Sequence, residues 1–164
     1  MAFQTSVNIN PPIGIAGTFA SIGVSHTVLA GALKFIAGTN GVTIACFAWC
    51  DTITGVVQNN KPANPTNWVN GFIERDTNAA VITTWQGQYS MVVPSGLPVS
   101  AYDRGDFFTT STTIATVGQK VFSSNTDGTI ATGAAGATIA GFTETNYTVA
   151  TSGAIGVVIR ITAQ

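Results

Sequence analysis

The chain has 164 residues and a formal net charge of −1; charged residues make up only 8% of it and hydrophobic residues 45%. Ordinary globular proteins carry about a quarter charged residues, so Thr, Ser, Asn, Gln, Gly and Ala must cover most of this surface. The six basic residues are scattered and form no patch that could neutralise a phosphate backbone, which excludes nucleic acid as an expected partner. No apolar run is long enough to span a bilayer, so no membrane partner is expected either.

The first 19 residues predict an extended N-terminal arm, and residues 20–164 predict one β domain. Pro11, Pro12 and the glycines that follow favour an extended arm over a core strand. The start of the chain lacks the basic and continuous apolar regions of a secretory signal. We therefore expect an intracellular product or one whose leader has been removed.

Short runs rich in Val, Ile, Thr, Phe and Trp, separated by Gly, Asn, Asp and Pro, predict an all-β fold, either a sandwich or a jelly-roll-like barrel. Residues 26–36 hold enough apolar side chains for one or two helical turns, although Gly31 disfavours them. Residues 133–153, rich in Gly, Ala and Thr, predict mobile strands and loops. The predicted strands are 42–49, 55–58, 71–75, 80–85, 89–93, 98–102, 106–110, 120–123, 129–132 and 156–162.

Two turns follow from the sequence. Asp127 and Gly128 predict a hairpin with a type I′ turn, which needs positive φ at both central residues. Residues 103–106, Asp-Arg-Gly-Asp, predict a polar turn in which Gly105 supplies the backbone freedom. The alternatives for 103–106 are an integrin-type Arg-Gly-Asp motif or two carboxylates that share a calcium ion.

Groups that could perform catalysis are scarce, since the chain has one histidine and seven carboxylates. Ser25 and His26 could belong to a catalytic triad only if the fold supplied a carboxylate and an oxyanion hole, so a structural histidine is the favoured interpretation. Cys46 and Cys50 on one strand would lie roughly 13 Å apart, too far for a disulfide, and predict two buried reduced thiols on one strand face. We expect no enzyme, no cofactor and no metal site.

Trp68 ends a loop rich in Pro and Asn, where burial is less assured than for a tryptophan inside a strand pattern. Such a residue can anchor an interface. The two hypotheses for Trp68 are contact with a partner and packing of the loop onto its own domain.

A series of segments, taken in order, resembles the structural cement or head-decoration proteins of tailed bacteriophages. The resemblance covers about the first four-fifths of the chain, and residues 133–153 depart from the pattern. It implies a non-enzymatic β protein that binds the outside of the capsid and bridges neighbouring major capsid subunits. The segments are AFQ at 2–4, NPPIGIAG at 10–17, VLAG at 28–31, GVT at 41–43, FAW at 47–49, MVVPSGLPV at 91–99, GDFF at 105–108, VGQKVF at 117–122 and DG at 127–128.

The resemblance also implies partners and a location. The expected partners are the major capsid protein and other copies of this chain in a dimer or trimer, and the expected location is the capsid exterior of the virion after synthesis in the host cytoplasm. Residues 3–14 are predicted to add a strand to a neighbour's sheet edge, unless that terminus is disordered or packs on its own domain. The candidate capsid contacts are Phe3, Val7, Ile9, Pro11, Pro12, Ile13 and Trp68.

A carbohydrate-binding β-sandwich is the alternative function, with Trp68 in a polar surface as the sugar platform. Because so few ion pairs are available to be screened, we expect capsid binding to depend weakly on salt.

Overall fold

The computed structural model describes residues 13–31, 34–75 and 91–164, and these residues form an all-β fold. The predicted fold class is confirmed. The strands are β1 (His26–Thr27), β2 (Ile36–Ala37), β3 (Val42–Thr43), β4 (Phe47–Asp51), β5 (Val56–Gln58), β6 (Trp68–Ile73), β7 (Val92–Val93), β8 (Ala101–Thr110), β9 (Lys120–Ser124), β10 (Ile130–Gly133), β11 (Phe142–Val149) and β12 (Val158–Ala163).

One long, curved sheet makes up most of the molecule. Its strand order is β10-β9-β11-β12-β8-β6-β4-β5-β2, with β1 also paired to β8, and β3 and β7 form a separate two-stranded sheet. Strand β8 pairs with β12 along Gly105–Thr110 and with β6 at Ala101 and Tyr102, so it belongs to both halves of the sheet. The halves pack face to face as a β-sandwich, and the described strands close no barrel.

An aromatic cluster fills the space between the two halves. The ring centroids of Phe72 and Phe107 lie 4.7 Å apart, and those of Phe47 and Tyr147 lie 5.4 Å apart. The Tyr147 hydroxyl donates a hydrogen bond of 3.1 Å to the carbonyl oxygen of Tyr102, so this buried polar group is paired. Aliphatic side chains of β9 to β12 complete the cluster.

A second apolar cluster lies on the other face of β4. Ala48 and Cys50 pack there with Val42 and Val93 of the small sheet, whereas Phe47 points into the aromatic cluster. All five residues of β4 are consequently buried. Burial on both faces explains why this strand lacks the alternation of apolar and polar residues that a half-exposed strand shows.

The turn predicted at 103–106 is wrong, because these residues lie inside β8 and the two strands predicted on either side of them are one. Gly105 has a φ of 139°, and pairing continues through it without a reversal, since Arg104 pairs with β1 and Asp106 pairs with β12. The single strand predicted at 42–49 is also wrong. It is divided into β3 and β4 by a turn in which Ala45 has a φ of 60°, and the chain passes there from the small sheet to the main one.

The hairpin predicted between β9 and β10 is confirmed, but its type I′ turn is wrong. Ser123 pairs with Ile130, so the connection is longer than two residues, and Gly128 has positive φ while Asp127 does not. The Asp127 carboxylate instead accepts hydrogen bonds from the amide and hydroxyl of Thr129. This Asx-type bonding stabilises the longer loop.

The described part of residues 26–36 holds the short strands β1 and β2, and the helical turns that Gly31 disfavours do not form in it. Residues 133–153, predicted as mobile strands and loops, contain the eight-residue strand β11, which lies between β9 and β12. The strand predicted at 80–85 lies outside the described residues, as does part of the strand predicted at 89–93.

Candidate functional site

The described chain begins with a segment that lies against β8. The amide of Gly17 donates to the carbonyl of Phe108 at 2.7 Å, and the amide of Phe108 donates to the carbonyl of Thr18 at 2.9 Å. Ile13, a candidate capsid contact, is exposed just before this segment. Residues 17–20 therefore pair with the domain's own sheet, and the chain that precedes them starts beside the C-terminal part of β8.

The other arm candidates, Phe3, Val7, Ile9, Pro11 and Pro12, lie outside the described residues. Their role as contacts stays a prediction.

Trp68, the remaining candidate contact, is the first residue of β6 and pairs with Asp51 of β4. It is half-buried and lines a cleft of about 300 Å³ at the mouth of the sandwich, together with Asn70, Asp103 and Glu144. The structure thus gives Trp68 both an exposed part and packing on its own domain.

The Arg-Gly-Asp tripeptide is built into the sheet. Asp106 accepts a hydrogen bond from the hydroxyl of Ser21 and forms an ion pair with Arg160, and its side chain is mostly buried. Partial burial raises the pKa of the Asp106 carboxyl, but hydrogen bonds from Ser21, Thr162 and Arg160 and the charge of Arg160 outweigh it, so that this pKa lies below its ordinary value. A carboxylate with these partners is not displayed for a receptor.

His26 lies on the exposed strand β1, where its Nδ1 is 2.6 Å from the Oδ1 of Asp103. Within the described ranges, its ring makes no hydrogen bond to a serine or threonine hydroxyl. The His26–Asp103 pair joins β1 to β8, which is the structural role favoured by the sequence. A triad would also need an activated nucleophile at this ring.

Both cysteines are free, and neither is poised to react. Cys50 is buried in β4, whereas Cys46 precedes that strand and is half-buried, so the prediction that both lie on one strand face is wrong. Burial, and to a smaller extent the charge of Asp127, raises the pKa of Cys46 to about 11; burial raises the pKa of Cys50 to about 12. Both are therefore protonated thiols at neutral pH.

Within 13–31, 34–75 and 91–164, no three His, Cys, Asp or Glu side chains are grouped so that they could hold a metal ion. The same ranges contain no helix with the length and apolar character needed to cross a bilayer.

Two loops without a single charged residue meet at one end of the sandwich: residues 111–119 and 150–157, called the end loops below. They meet because Val158 pairs with Thr110 and Thr148 pairs with Lys120, which brings the strand ends that carry them together. Four large apolar side chains of these loops are exposed: Ile114 by 68%, Val117 by 59%, Ile155 by 63% and Val157 by 46%.

The sequence prediction missed the end loops as a surface. The signal was present, since residues 107–119 and 145–159 are two stretches without charge. Their convergence depends on the pairing of β11 with β9 and β12, and β11 lies in the stretch that was predicted as mobile strands and loops.

Comparison with known proteins agrees with a capsid protein. A family model described as the XM1 gp53 minor capsid protein matches residues 3–163. A chain in a solved structure, the capsid of Myoviridae phage XM1, has a similar fold, with a TM-score of 0.61 at 18% sequence identity over 99% of this chain and 97% of that chain. No curated protein matches the chain. The resemblance to capsid-associated proteins of tailed phages is confirmed, and the chain belongs to the XM1 gp53 minor capsid protein family.

Proposed function

We propose that this phage capsid protein is a decoration, or cement, protein that binds the outer surface of the head and bridges neighbouring major capsid subunits. The match of the minor capsid family model to nearly the whole chain carries the proposal. A minor capsid protein of this size, without a catalytic constellation among its described residues, acts by attachment.

The composition of the surface supports attachment through shape and apolar contact. Only 8% of the chain is charged, and the described residues expose many large apolar side chains. The His26–Asp103 hydrogen bond and the Arg160–Asp106 ion pair are made within the domain, so these polar groups are already engaged. Many copies on a symmetric lattice convert such modest contacts into durable attachment, because each further contact is effectively intramolecular.

The N-terminal arm supplies the bridge in this proposal. Fully extended chain spans about 3.3 Å per residue, so residues 1–12 can bridge a distance of about 40 Å. Residues 3–10 alternate apolar or Thr side chains with polar ones, the pattern of a strand with two different faces. Such a segment can add to the sheet edge of an adjacent capsid subunit through backbone hydrogen bonds.

Deletion of residues 2–12 tests this role of the arm. We expect weaker attachment to capsids of the same phage assembled without this protein, and an unchanged far-UV circular dichroism spectrum. A matched pair of variants refines the test: Phe3→Ser with Ile9→Ser changes one face of the predicted strand, and Gln4→Ser with Asn8→Ser changes the other. The apolar pair should weaken binding and the polar pair should not. Unchanged occupancy after the deletion would remove the arm from the proposal.

The carbohydrate-binding alternative depends on Trp68. Binding to a glycan array that the Trp68→Ala variant abolishes would favour it. We expect the wild-type protein to give no such signal.

A further inference from the structure

The end loops form a fixed surface. Ala115 and Gly153 exchange two backbone hydrogen bonds, of 2.9 and 3.0 Å, which tie the two end loops together. The amide of Gly156 donates to the carbonyl of Ser111 at 2.9 Å, and the hydroxyl of Thr132 donates to the carbonyl of Ile114 at 3.0 Å. The apolar side chains are therefore presented by backbone that is already ordered, and a partner that covers them has little ordering entropy to overcome.

The end loops expose an apolar surface of the size that functional contacts use. From their exposed fractions, Ile114, Val117, Ile155 and Val157 together expose roughly 400 Å² of apolar area. A contact of this area becomes durable when it is repeated many times on a lattice, where the effective concentration is high. The chain belongs to a minor capsid protein family, so the lattice that offers this repetition is the capsid.

The arm starts close to the same end of the molecule. Gly14 lies against the ring of Phe108, two residues before β8 ends at Thr110 and the first end loop begins. An arm that leaves from this position starts beside the end loops.

On the basis of the decoration role proposed above, we propose that the end loops are the surface through which the domain binds the capsid. The surface that receives them is an apolar, uncharged patch of the major capsid protein. A lysine or glutamate opposite the end loops would lose its water without gaining a counter-charge, which is unfavourable. The end loops fix the domain to one subunit, and the arm then reaches the next.

A lysine substitution with a matched control tests this binding surface. Ile155→Lys places a charge in the end loops, and Ile53→Lys places the same charge in the turn between β4 and β5. The two isoleucines are equally exposed, by 63% and 62%, so both variants should fold. The two positions lie near opposite ends of β4. Ile155 lines a pocket with Cys46, which precedes this strand, whereas Ile53 follows the end of the strand at Asp51. Thermal melting confirms folding, and co-sedimentation with capsids assembled without this protein measures binding.

We expect Ile155→Lys to bind capsids at least tenfold more weakly than the wild type and Ile53→Lys to bind like the wild type. If the wild type binds and Ile155→Lys binds equally well, the capsid-binding surface lies elsewhere. The proposal is then overturned, while the decoration role stands. If the wild type does not bind, the decoration role itself fails. A wild-type dimer in analytical ultracentrifugation that Ile155→Lys dissociates would assign the end loops to self-association and also overturn the proposal.

Discussion

Gly128 joins the β9–β10 hairpin to the opposite half of the sandwich, and we expect its replacement by alanine to be among the most destabilising small changes in the chain. The amide of Phe47 donates to the carbonyl of Gly128 at 2.9 Å, and a Cβ at Gly128 would lie only 1.9 Å from the carbonyl oxygen of Phe47. That oxygen also accepts a hydrogen bond of 2.9 Å from the side chain of Asn59. The loop and β4 cannot keep their positions once the methyl group is present.

Gly136 provides the matched control. Its φ of 72° nearly equals the 73° of Gly128, and nothing lies within 4 Å of a Cβ built on it. Both substitutions place alanine in the left-handed region, at a cost of about 1–2 kcal/mol, and both restrict the unfolded chain equally. Only Gly128→Ala also disrupts packing, which costs about 1–3 kcal/mol, and the hydrogen bond to Phe47, worth about 1 kcal/mol.

We therefore expect Gly128→Ala to lower the free energy of unfolding by about 4 kcal/mol and Gly136→Ala by about 1 kcal/mol. At about 3 °C per kcal/mol for a domain of this size, the melting temperatures should fall by about 12 °C and about 3 °C. Differential scanning calorimetry of both variants beside the wild type measures this. Equal losses would refute the close approach of the β9–β10 loop to β4.

Three further predictions concern the core, the ion pair and the surface. Tyr147→Phe removes the hydroxyl that pairs with Tyr102, and chemical denaturation should show a loss of about 1 kcal/mol; no loss would mean that this bond adds nothing. Because the pKa of Asp106 is lowered in the folded state, its contribution to stability is full above its ordinary value of 3.8 and is lost as the pH falls below that value. Acid unfolding of Asp106→Asn should accordingly depend less steeply on pH in this range than that of the wild type, and parallel curves would contradict the assignment. Capsid binding should change little between 50 and 500 mM NaCl, whereas a steep loss would show that the basic residues matter.

The fold class followed from the sequence because alternating β-branched and aromatic runs between turn residues are a local property. Which strands pair with each other, in contrast, depends on residues that are far apart in the sequence. Residues 103–106 have the composition of a turn, yet pairing of Arg104 with β1 and of Gly105 and Asp106 with β12 keeps them extended, and these partners lie more than 50 residues away in the chain. Strand β11 has a sequence rich in Thr, and it forms because β9 and β12 flank it and Tyr147 fills the aromatic cluster. In both segments tertiary pairing overrides local propensity.

The candidate site divides in the same way into features that the sequence could predict and contacts that it could not. The scarcity of charge indicated an attachment protein without reference to any fold, and the exposed Ile13 and half-buried Trp68 are compatible with the contact roles predicted for them. The end loops could not be found in this way, since Ile114 and Ile155 lie 41 residues apart and meet only when β8 and β12 pair.

The heat resistance of capsids with and without this protein tests the decoration role most directly. Capsids of the same phage, assembled without the chain and filled with DNA, are heated with increasing amounts of the purified protein, and DNA release is followed with a fluorescent dye. The account predicts that the protein co-sediments with the capsids to a saturating occupancy and raises the temperature of DNA release. Capsids that gain no heat resistance at saturating occupancy, or that bind none of the protein, would contradict it.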